Sequence, residues 1–382
     1  MKNNKKDILL CCNSDIGRGN TIGFRFGKIA ERLLRNNINF EIIARANYSN
    51  LKVETPFYKN YLARSLNALR IYVITNLNFR PFDINCFDNF VLRKLKKSGQ
   101  KYKLAHIGEY LPKTIYFLKK QKTKILLDIP IAHYRYVLYL KEKGFKQDEK
   151  IKRIKELDDS IKQADLLIVP SLFVKQTLEM AGFDKPMRII SFGADIKENF
   201  SEKDIEKRKE EKMVRFIFAG SVNFRKGINF LLEAWQKLKL ENSQLLICGR
   251  VHKSIWKELK NYNLKNVKFC GFVNMEKYYR KGDVFVFPTL FEGSAKVVYE
   301  AMSYGLPVIT TFNAGSIVED GRNGFIVPIG DIDELAEKML YFYKNRSEIV
   351  KMGKNALDEV KDYTWDFYGQ KIIKIYRQVW EN

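Results

Sequence analysis

Two glutamates, Glu292 and Glu300, flank a turn and helix entrance that carries Gly293, Ser294, Ala295, Lys296 and Val297. The first N–H groups of a helix have no partner inside it, and the macrodipole adds positive potential, so such an entrance favours a phosphate. Lys296 adds a full charge there. Glu300 lies roughly 9 Å further along the axis than Glu292 at the ordinary helical rise. Carboxylates so separated do not make one acid/base pair; they suit hydroxyl groups on either side of a bound diphosphate. A second set of residues points to the same chemistry. In Gly220-Ser-Val-Asn-Phe-Arg-Lys-Gly227, Ser221, Arg225 and Lys226 sit in a glycine loop before a stretch whose Ile228, Leu231, Leu232, Trp235 and Leu238 share one helical face. Strand, glycine loop, lysine and helix start together form an anion site by the same electrostatics. The Gly-x4-Gly-Lys-Ser/Thr spacing of a Walker loop is absent.

These residues need a scaffold that presents loop ends, and the surrounding pattern supplies it. The run Asp283-Val-Phe-Val-Phe-Pro288 reads as a strand covered on both faces and ended by proline. Val297, Val298, Ala301 and Met302 recur at helical spacing, Gly305 stops the helix, and Pro307 prevents its continuation before the next strand at 308–311. The same alternation runs along the chain. Strands are predicted at 7–12, 40–44, 104–107, 125–129 and 166–169, then at 214–219, 244–248, 267–270 and 284–287, with a helix at 24–36. Strands alternating with helices imply parallel, doubly wound sheets. Residues 197–212, dominated by charge and without apolar periodicity, read as the linker between two series.

A chain of 382 residues is long for one domain and comfortable for two. The start, with only Ile8-Leu-Leu-Cys-Cys12 before polar residues return, is too short for a signal-peptide core, and no run approaches membrane-spanning length. Its five cysteines lack metal or redox spacing and read as free thiols of a reducing cytosol. The formal net charge is +24, and roughly three quarters of the excess falls in the first 200 residues. Clusters occur at Arg93-Lys-Leu-Lys-Lys97, Lys101-Tyr-Lys103 and Lys119-Lys-Gln-Lys-Thr-Lys124. A basic face interleaved with Tyr, Leu and Phe suits anionic lipid or nucleic acid, and a solvated surface accounts for the same residues. Leu62, Leu66, Leu69, Val73 and Leu77 recur at helical spacing, which fits packing on the lobe's own core.

The Glu-x7-Glu segment, the Lys226 loop and several flanking stretches resemble the retaining glycosyltransferases of the GT-B fold, family 4, over most of the chain. The flanking stretches are Ala164-Asp-Leu-Leu-Ile-Val-Pro-Ser171, Gly193-Ala-Asp195, Asn313-Ala-Gly-Ser316 and Asp320-Gly-Arg-Asn-Gly-Phe-Ile-Val-Pro328. The resemblance implies an α/β chain of two Rossmann-like lobes facing a cleft: an acceptor lobe at 1–197, a donor lobe at 198–365, and a helix at 366–382 that returns to the first lobe. It implies that Glu292 touches hydroxyls of the transferred sugar, Glu300 binds the ribose, and the backbone of 293–297 meets the diphosphate. Lys226 would grip that diphosphate. Where the family carries an arginine after the first glycine this chain has Ser221, and Arg225 stands ready to supply the charge. Gly17-Arg-Gly19 resembles the family's first-lobe glycine loop, though Arg18 interrupts it and Gly23 falls outside a Gly-x-Gly-x-x-Gly spacing. His133, directly after a strand, takes the place of a family histidine near the reacting carbon. His106 ranks behind it, and His252 reads as a loop residue. Family members have Gly-Phe-Gly after the first glutamate, and the Gly293-Ser-Ala295 found here leaves the sugar open.

By that resemblance the enzyme holds a nucleotide-diphosphate sugar between lobes and transfers its sugar with retention to a glycan or lipid-linked acceptor. No cofactor and no metal is expected; Asp331-Ile-Asp333 formally matches an Asp-x-Asp metal signature, but Asp331 reads as the cap of a helix near Glu334. A cytoplasmic protein, with an anionic membrane face as a further partner, is the expected setting. A nucleotide-sugar epimerase or a sugar phosphorylase shares this architecture. A nucleic-acid-binding module explains the charge and leaves both phosphate sites without a purpose.

Overall fold

The computed structural model describes residues 6–17, 22–55, 80–108, 110–146, 155–196 and 200–381. In the first lobe, strands β1 (Ile8–Ile16), β2 (Phe40–Asn47), β3 (Leu104–Ile107), β4 (Lys124–Asp128), β5 (Leu166–Val169) and β6 (Met187–Ile189) form one sheet in the order β2-β1-β3-β4-β5-β6. Every pair is parallel. Helices α1 (Ile22–Arg35), α2 (Arg80–Ser98), α3 (Pro112–Lys120), α4 (Tyr134–Glu142), α5 (Lys155–Gln163) and α6 (Leu172–Met180) supply the crossovers. Apolar runs such as Leu9, Cys11, Ile125 and Leu127 are buried on one face, and Ile8, Leu10, Cys12 and Leu126 on the other. A parallel sheet needs cover on both sides, which is why its strands are apolar without alternation.

The second lobe repeats the plan. After the short α7 (Glu202–Glu206) come β7 (Val214–Ala219), α8 (Ile228–Leu238), β8 (Ser243–Cys248), α9 (Lys253–Leu259), β9 (Val267–Gly271), α10 (Met275–Lys281), β10 (Val284–Phe287), α11 (Lys296–Met302), β11 (Val308–Thr311) and β12 (Gly324–Val327). The parallel order is β12-β11-β10-β7-β8-β9. Strand order therefore reverses between β7 and β10, and in open sheets ligands sit at the carboxyl ends of strands beside such a switch point. Helices α12 (Ile332–Lys344), α13 (Arg346–Val360) and α14 (Trp365–Glu381) follow. Tyr368, Ile372, Ile373 and Tyr376 of α14 are buried together with Phe26, Ile29 and Leu33 of α1, so the last helix packs on the first lobe.

Two differences from the sequence reading have physical causes. Residues 200–212 are not bare linker: Asp204 caps α7 by accepting from the Ser201 N–H at 3.1 Å, and Ile205 is buried. Arg208 is buried too, donating to the carbonyls of Tyr304 at 2.8 Å and of Gly305. A buried guanidinium can be held by carbonyl oxygens, so charge content alone does not mark a segment as solvated. β1 also runs on to Ile16, so the predicted glycine loop begins as strand. Gly19 and the apolar stripe from Leu62 to Leu77 lie outside the described residues.

Candidate active site between the lobes

The carbonyl end of β7 leads into the Lys226 loop and that of β10 into the Glu292 loop, and backbone bonds lock the two loops together. The Arg225 carbonyl accepts from the Leu290 N–H at 2.8 Å and from the Thr289 hydroxyl at 2.9 Å. Gly227 closes the first loop at φ 72°, where a Cβ would lie 1.9 Å from the Pro288 carbonyl oxygen. Only glycine tolerates both that conformation and that approach.

Glu292 is the point where these loops meet. Its Oε1 accepts from Arg225 Nη1 at 2.7 Å and from Lys226 Nζ, with the Thr289 hydroxyl at 3.4 Å. Asn313 fixes the backbone beneath it: the Asn313 carbonyl accepts from the Glu292 N–H at 2.8 Å, and its amide nitrogen donates to the Leu290 carbonyl at 2.7 Å. Gly293 touches the other lobe. A Cβ there would sit 1.8 Å from the Pro130 carbonyl oxygen, and its own carbonyl accepts from the Ser171 hydroxyl at 2.7 Å.

A cavity of about 410 Å³ opens between the lobes, within the size range of small-molecule sites. Lys226, Phe287 and residues 292–297 form one wall; Ile22, Arg25, Pro130, Ile131, Phe192 and Trp365 form the other. The structure thus gathers Lys226, Glu292, Gly293, Ser294, Ala295, Lys296 and Val297. Ser294 is buried, its hydroxyl 2.8 Å from that of Tyr299, and Phe192 donates its N–H to the Ser294 oxygen at 3.4 Å. The helix begins at Lys296 with Ala295 as its cap, and the Ala295 N–H is already bonded to the Ala314 carbonyl at 3.0 Å. Of the predicted backbone donors, that one is committed within the fold.

Glu300 stands beside the cavity rather than on its wall. Lys296 Nζ lies 3.3 Å from its Oε1, and the Tyr279 hydroxyl donates to its Oε2 at 3.4 Å. Burial and the neighbouring Glu300 carboxylate hold the Tyr279 phenol far above its usual pKa, so it remains a donor. Ser221 is exposed at the start of its loop, and Gly17 forms the turn after β1 without lining the cavity.

His133 is not brought to this cavity. It caps α4 with Nδ1 accepting from the Arg135 N–H at 3.3 Å, its Nε2 lies 3.1 Å from Asp158 Oδ1, and its side chain is 0% exposed. Burial lowers its pKa despite the nearby carboxylate. The turn 130–132 runs along the cavity wall and the cap directs the ring inward, so Pro130 and Ile131 take the wall position. His106 is buried, with Nδ1 2.6 Å from the Tyr376 hydroxyl, and burial pushes its pKa down to about 3. His252 caps α9. Asp331 caps α12, accepting from the Glu334 N–H at 2.9 Å.

Arg25, Phe192 and Trp365 were not singled out as site residues by the sequence reading. The signal available was position: residues just past the carboxyl ends of β4 and β6 and on the first turn of α1 face the cleft in this fold class. Arg25 is buried, with Nη1 bonded to both oxygens of Asp128 at 2.9 and 3.1 Å. Its charge is kept by that carboxylate against the cost of desolvation.

Comparison with known proteins agrees with this architecture. Residues 214–345 match the family model described as glycosyl transferases group 1. Two uncharacterised glycosyltransferases of Methanocaldococcus jannaschii are 31% and 27% identical over 180 and 168 residues, 44% and 43% of this chain, which spans 45% and 48% of their lengths. An uncharacterised 41.2 kDa protein in the cps region of Klebsiella pneumoniae is 24% identical over 309 residues, 74% of this chain and 77% of that one. Among solved structures, Anabaena HepE in complex with UDP superposes with a TM-score of 0.70 at 17% identity, covering 97% of this chain and all of the other. Two six-stranded parallel sheets, an inter-lobe cavity, a returning last helix and these matches lead to one statement: the chain has the GT-B fold, and residues 214–345 of its second lobe match the group 1 glycosyl transferases.

Proposed function

We propose that this protein transfers a sugar, with retention of anomeric configuration, from a nucleotide-diphosphate sugar to a glycan or lipid-linked acceptor in the synthesis of a bacterial surface polysaccharide. The observation that carries the reading is the meeting of Arg225, Lys226 and Glu292: Lys226 and Glu292 line the inter-lobe cavity, and Arg225, which does not line it, is bonded to the same Glu292 oxygen as Lys226. Lys226 and Arg225 are placed to stabilise the leaving diphosphate, and Glu292 to accept from hydroxyls of the sugar. Preorganised charge of this kind is the usual source of most rate enhancement in group transfer. These two cations supply what a metal would otherwise supply, so the reaction proposed is metal-independent and needs no cofactor.

Retention is carried over from the family resemblance, and the charge distribution at the cavity is consistent with it. Glu292 is its one carboxylate among the described lining residues, and it is tied to two cations. It is poorly placed to act as a base. In the step we favour, the acceptor oxygen bonds to the anomeric carbon on the face the phosphate leaves, the carbon–phosphate oxygen bond breaks, and the acceptor proton passes to the departing phosphate. UDP in the neighbouring structure and the cps setting of the Klebsiella relative support the donor class and the pathway class.

The first lobe also carries a surface suited to a membrane. Between α2, α3 and α5 lies a groove of about 510 Å³ floored by Leu92, Pro112, Tyr116 and Phe117 and edged by Lys96, Lys113 and Lys120. We place the protein on the cytoplasmic membrane face through this groove, which would bring a lipid-linked acceptor to the cleft. No described helix is long and apolar enough to cross a membrane.

The deciding experiment is a mass-spectrometric screen of UDP-, GDP- and ADP-sugars with thermal-shift measurements alongside. Stabilisation by an oligonucleotide and by none of the nucleotides would sink the transferase reading. Conversion of a donor sugar without an acceptor would favour an epimerase.

A further inference from the structure

Of the proposed donor contacts, Lys226, Glu292 and residues 293–297 lie on one wall of the cavity, and the opposite wall has a chemistry of its own. Its side chains are Ile22, Arg25, Pro130, Ile131, Phe192 and Trp365. Only Arg25 and Trp365 among them are polar, and both are pure hydrogen-bond donors. Asp128 engages Nη1, one of three guanidinium nitrogens, and Phe192 packs its ring 4.2 Å from the guanidinium carbon. The fork is therefore held in one orientation by a carboxylate that does not itself line the cavity.

Trp365 supplies the independent observation. It is 9% exposed, and its indole Nε1–H is buried with no acceptor among the described residues. Buried polar groups are nearly always paired, so an orphaned donor at a cavity calls for a ligand atom. Lys296 lines the facing wall, but its Nζ lies 3.3 Å from Glu300 and 3.7 Å from Asp195, so its charge is already balanced by carboxylates. A face of sugar hydroxyls asks for acceptors as well as donors. Donors alone complement an oxyanion.

We propose that Arg25 and Trp365 form an acceptor-side subsite for an anionic group, a carboxylate or a phosphate, carried close to the accepting hydroxyl. The inference rests on the transferase reading, since it assigns the opposite wall to the donor. An acidic sugar and a lipid-linked phosphate both present such a group, and the test separates them.

The protein is first saturated with UDP, or with GDP or ADP if UDP does not bind, so that the phosphate positions beside Lys226 are filled. Methyl glucuronide, farnesyl phosphate and methyl glucoside are then titrated calorimetrically. One of the two anions is expected to bind at least about tenfold more tightly than the neutral glycoside, as charge-assisted bonds require. Trp365→Phe keeps the ring against Phe24 and removes the N–H; it should weaken anion binding about fivefold. Arg25→Lys keeps a cation against Asp128 and loses the fork; it should weaken it about tenfold. Nucleotide affinity should stay unchanged in both. Methyl glucoside matching the anions, or both variants binding them like the parent, would overturn the subsite. If no nucleotide binds, the transferase reading fails on its own, and the same comparison on the free protein still decides the subsite.

Discussion

Arg225 Nη1 lies 2.7 Å from Glu292 Oε1, and Lys226 shares the same oxygen, so one carboxylate oxygen holds two cations at the rim of the cavity. This arrangement gives substitutions opposite signs. Glu292→Gln should free both cations, leaving UDP affinity equal or up to about tenfold stronger while transfer falls at least a hundredfold. Lys226→Ala should weaken UDP about tenfold to a hundredfold. Calorimetry and single-turnover rates on the two variants check the pair, and full transfer by Glu292→Gln would contradict the role assigned to it.

Glu300 offers a separable reading. Held by Lys296 and the Tyr279 hydroxyl, it is proposed to bind ribose and not phosphate. Glu300→Ala should weaken UDP about tenfold and leave pyrophosphate binding within about twofold. Equal losses for both ligands would show that the residue acts through the phosphates instead.

Acid should unfold the protein through its buried histidines. His106 has a folded pKa of about 3 against 6.5 unfolded, and His133 is also lowered by burial. A lowered histidine contributes stability that is complete above the unfolded value and declines as pH falls below 6.5, because the unfolded chain takes up the proton first. His106 contributes a slope of up to ~1.4 kcal/mol per pH unit in that window, and His133 acts in the same direction. Urea titrations from pH 7 to pH 4 should show the decline, and His106→Asn should flatten part of it. An unchanged slope in that variant would remove His106 from the account.

Membrane attachment has its own measurement. Charge reversal at Lys96, Lys113 and Lys120 together should reduce co-sedimentation with vesicles containing anionic phosphatidylglycerol by at least about tenfold, with ~1 kcal/mol lost per lysine near the surface. Soluble-acceptor transfer should not change. Equal binding to neutral and anionic vesicles would count against the groove.

The sheets were legible in the sequence because parallel strands buried on both faces leave unbroken apolar runs: 104–107, 166–169, 214–219, 284–287 and 308–311 appear with those bounds. β6 and β12 were not, since a three-residue edge strand and Gly-Phe-Ile-Val offer too little length to separate from a loop. On the second-lobe wall, residues of one loop stay together in space, so spacing located 292–297 and Lys226. The first-lobe wall draws Arg25, Pro130, Phe192 and Trp365 from four distant stretches, and one-dimensional spacing carries no such grouping. His133 illustrates the remaining gap. Its place after β4 was visible, but the direction of its ring depends on capping α4 and on Asp158, which spacing does not encode.

The chain passes between the lobes twice, and the two passages run side by side. The Ala194 N–H donates to the Tyr363 carbonyl at 2.9 Å, and Ala194 forms a parallel bridge with Thr364. Two strands of backbone fastened along one short line tie the exit from the first lobe to the start of the helix that returns to it. The close approach of Gly293 to the Pro130 carbonyl joins the lobes a second time, at the cavity itself, so the space for a substrate is bounded by two separate contacts between the same two lobes.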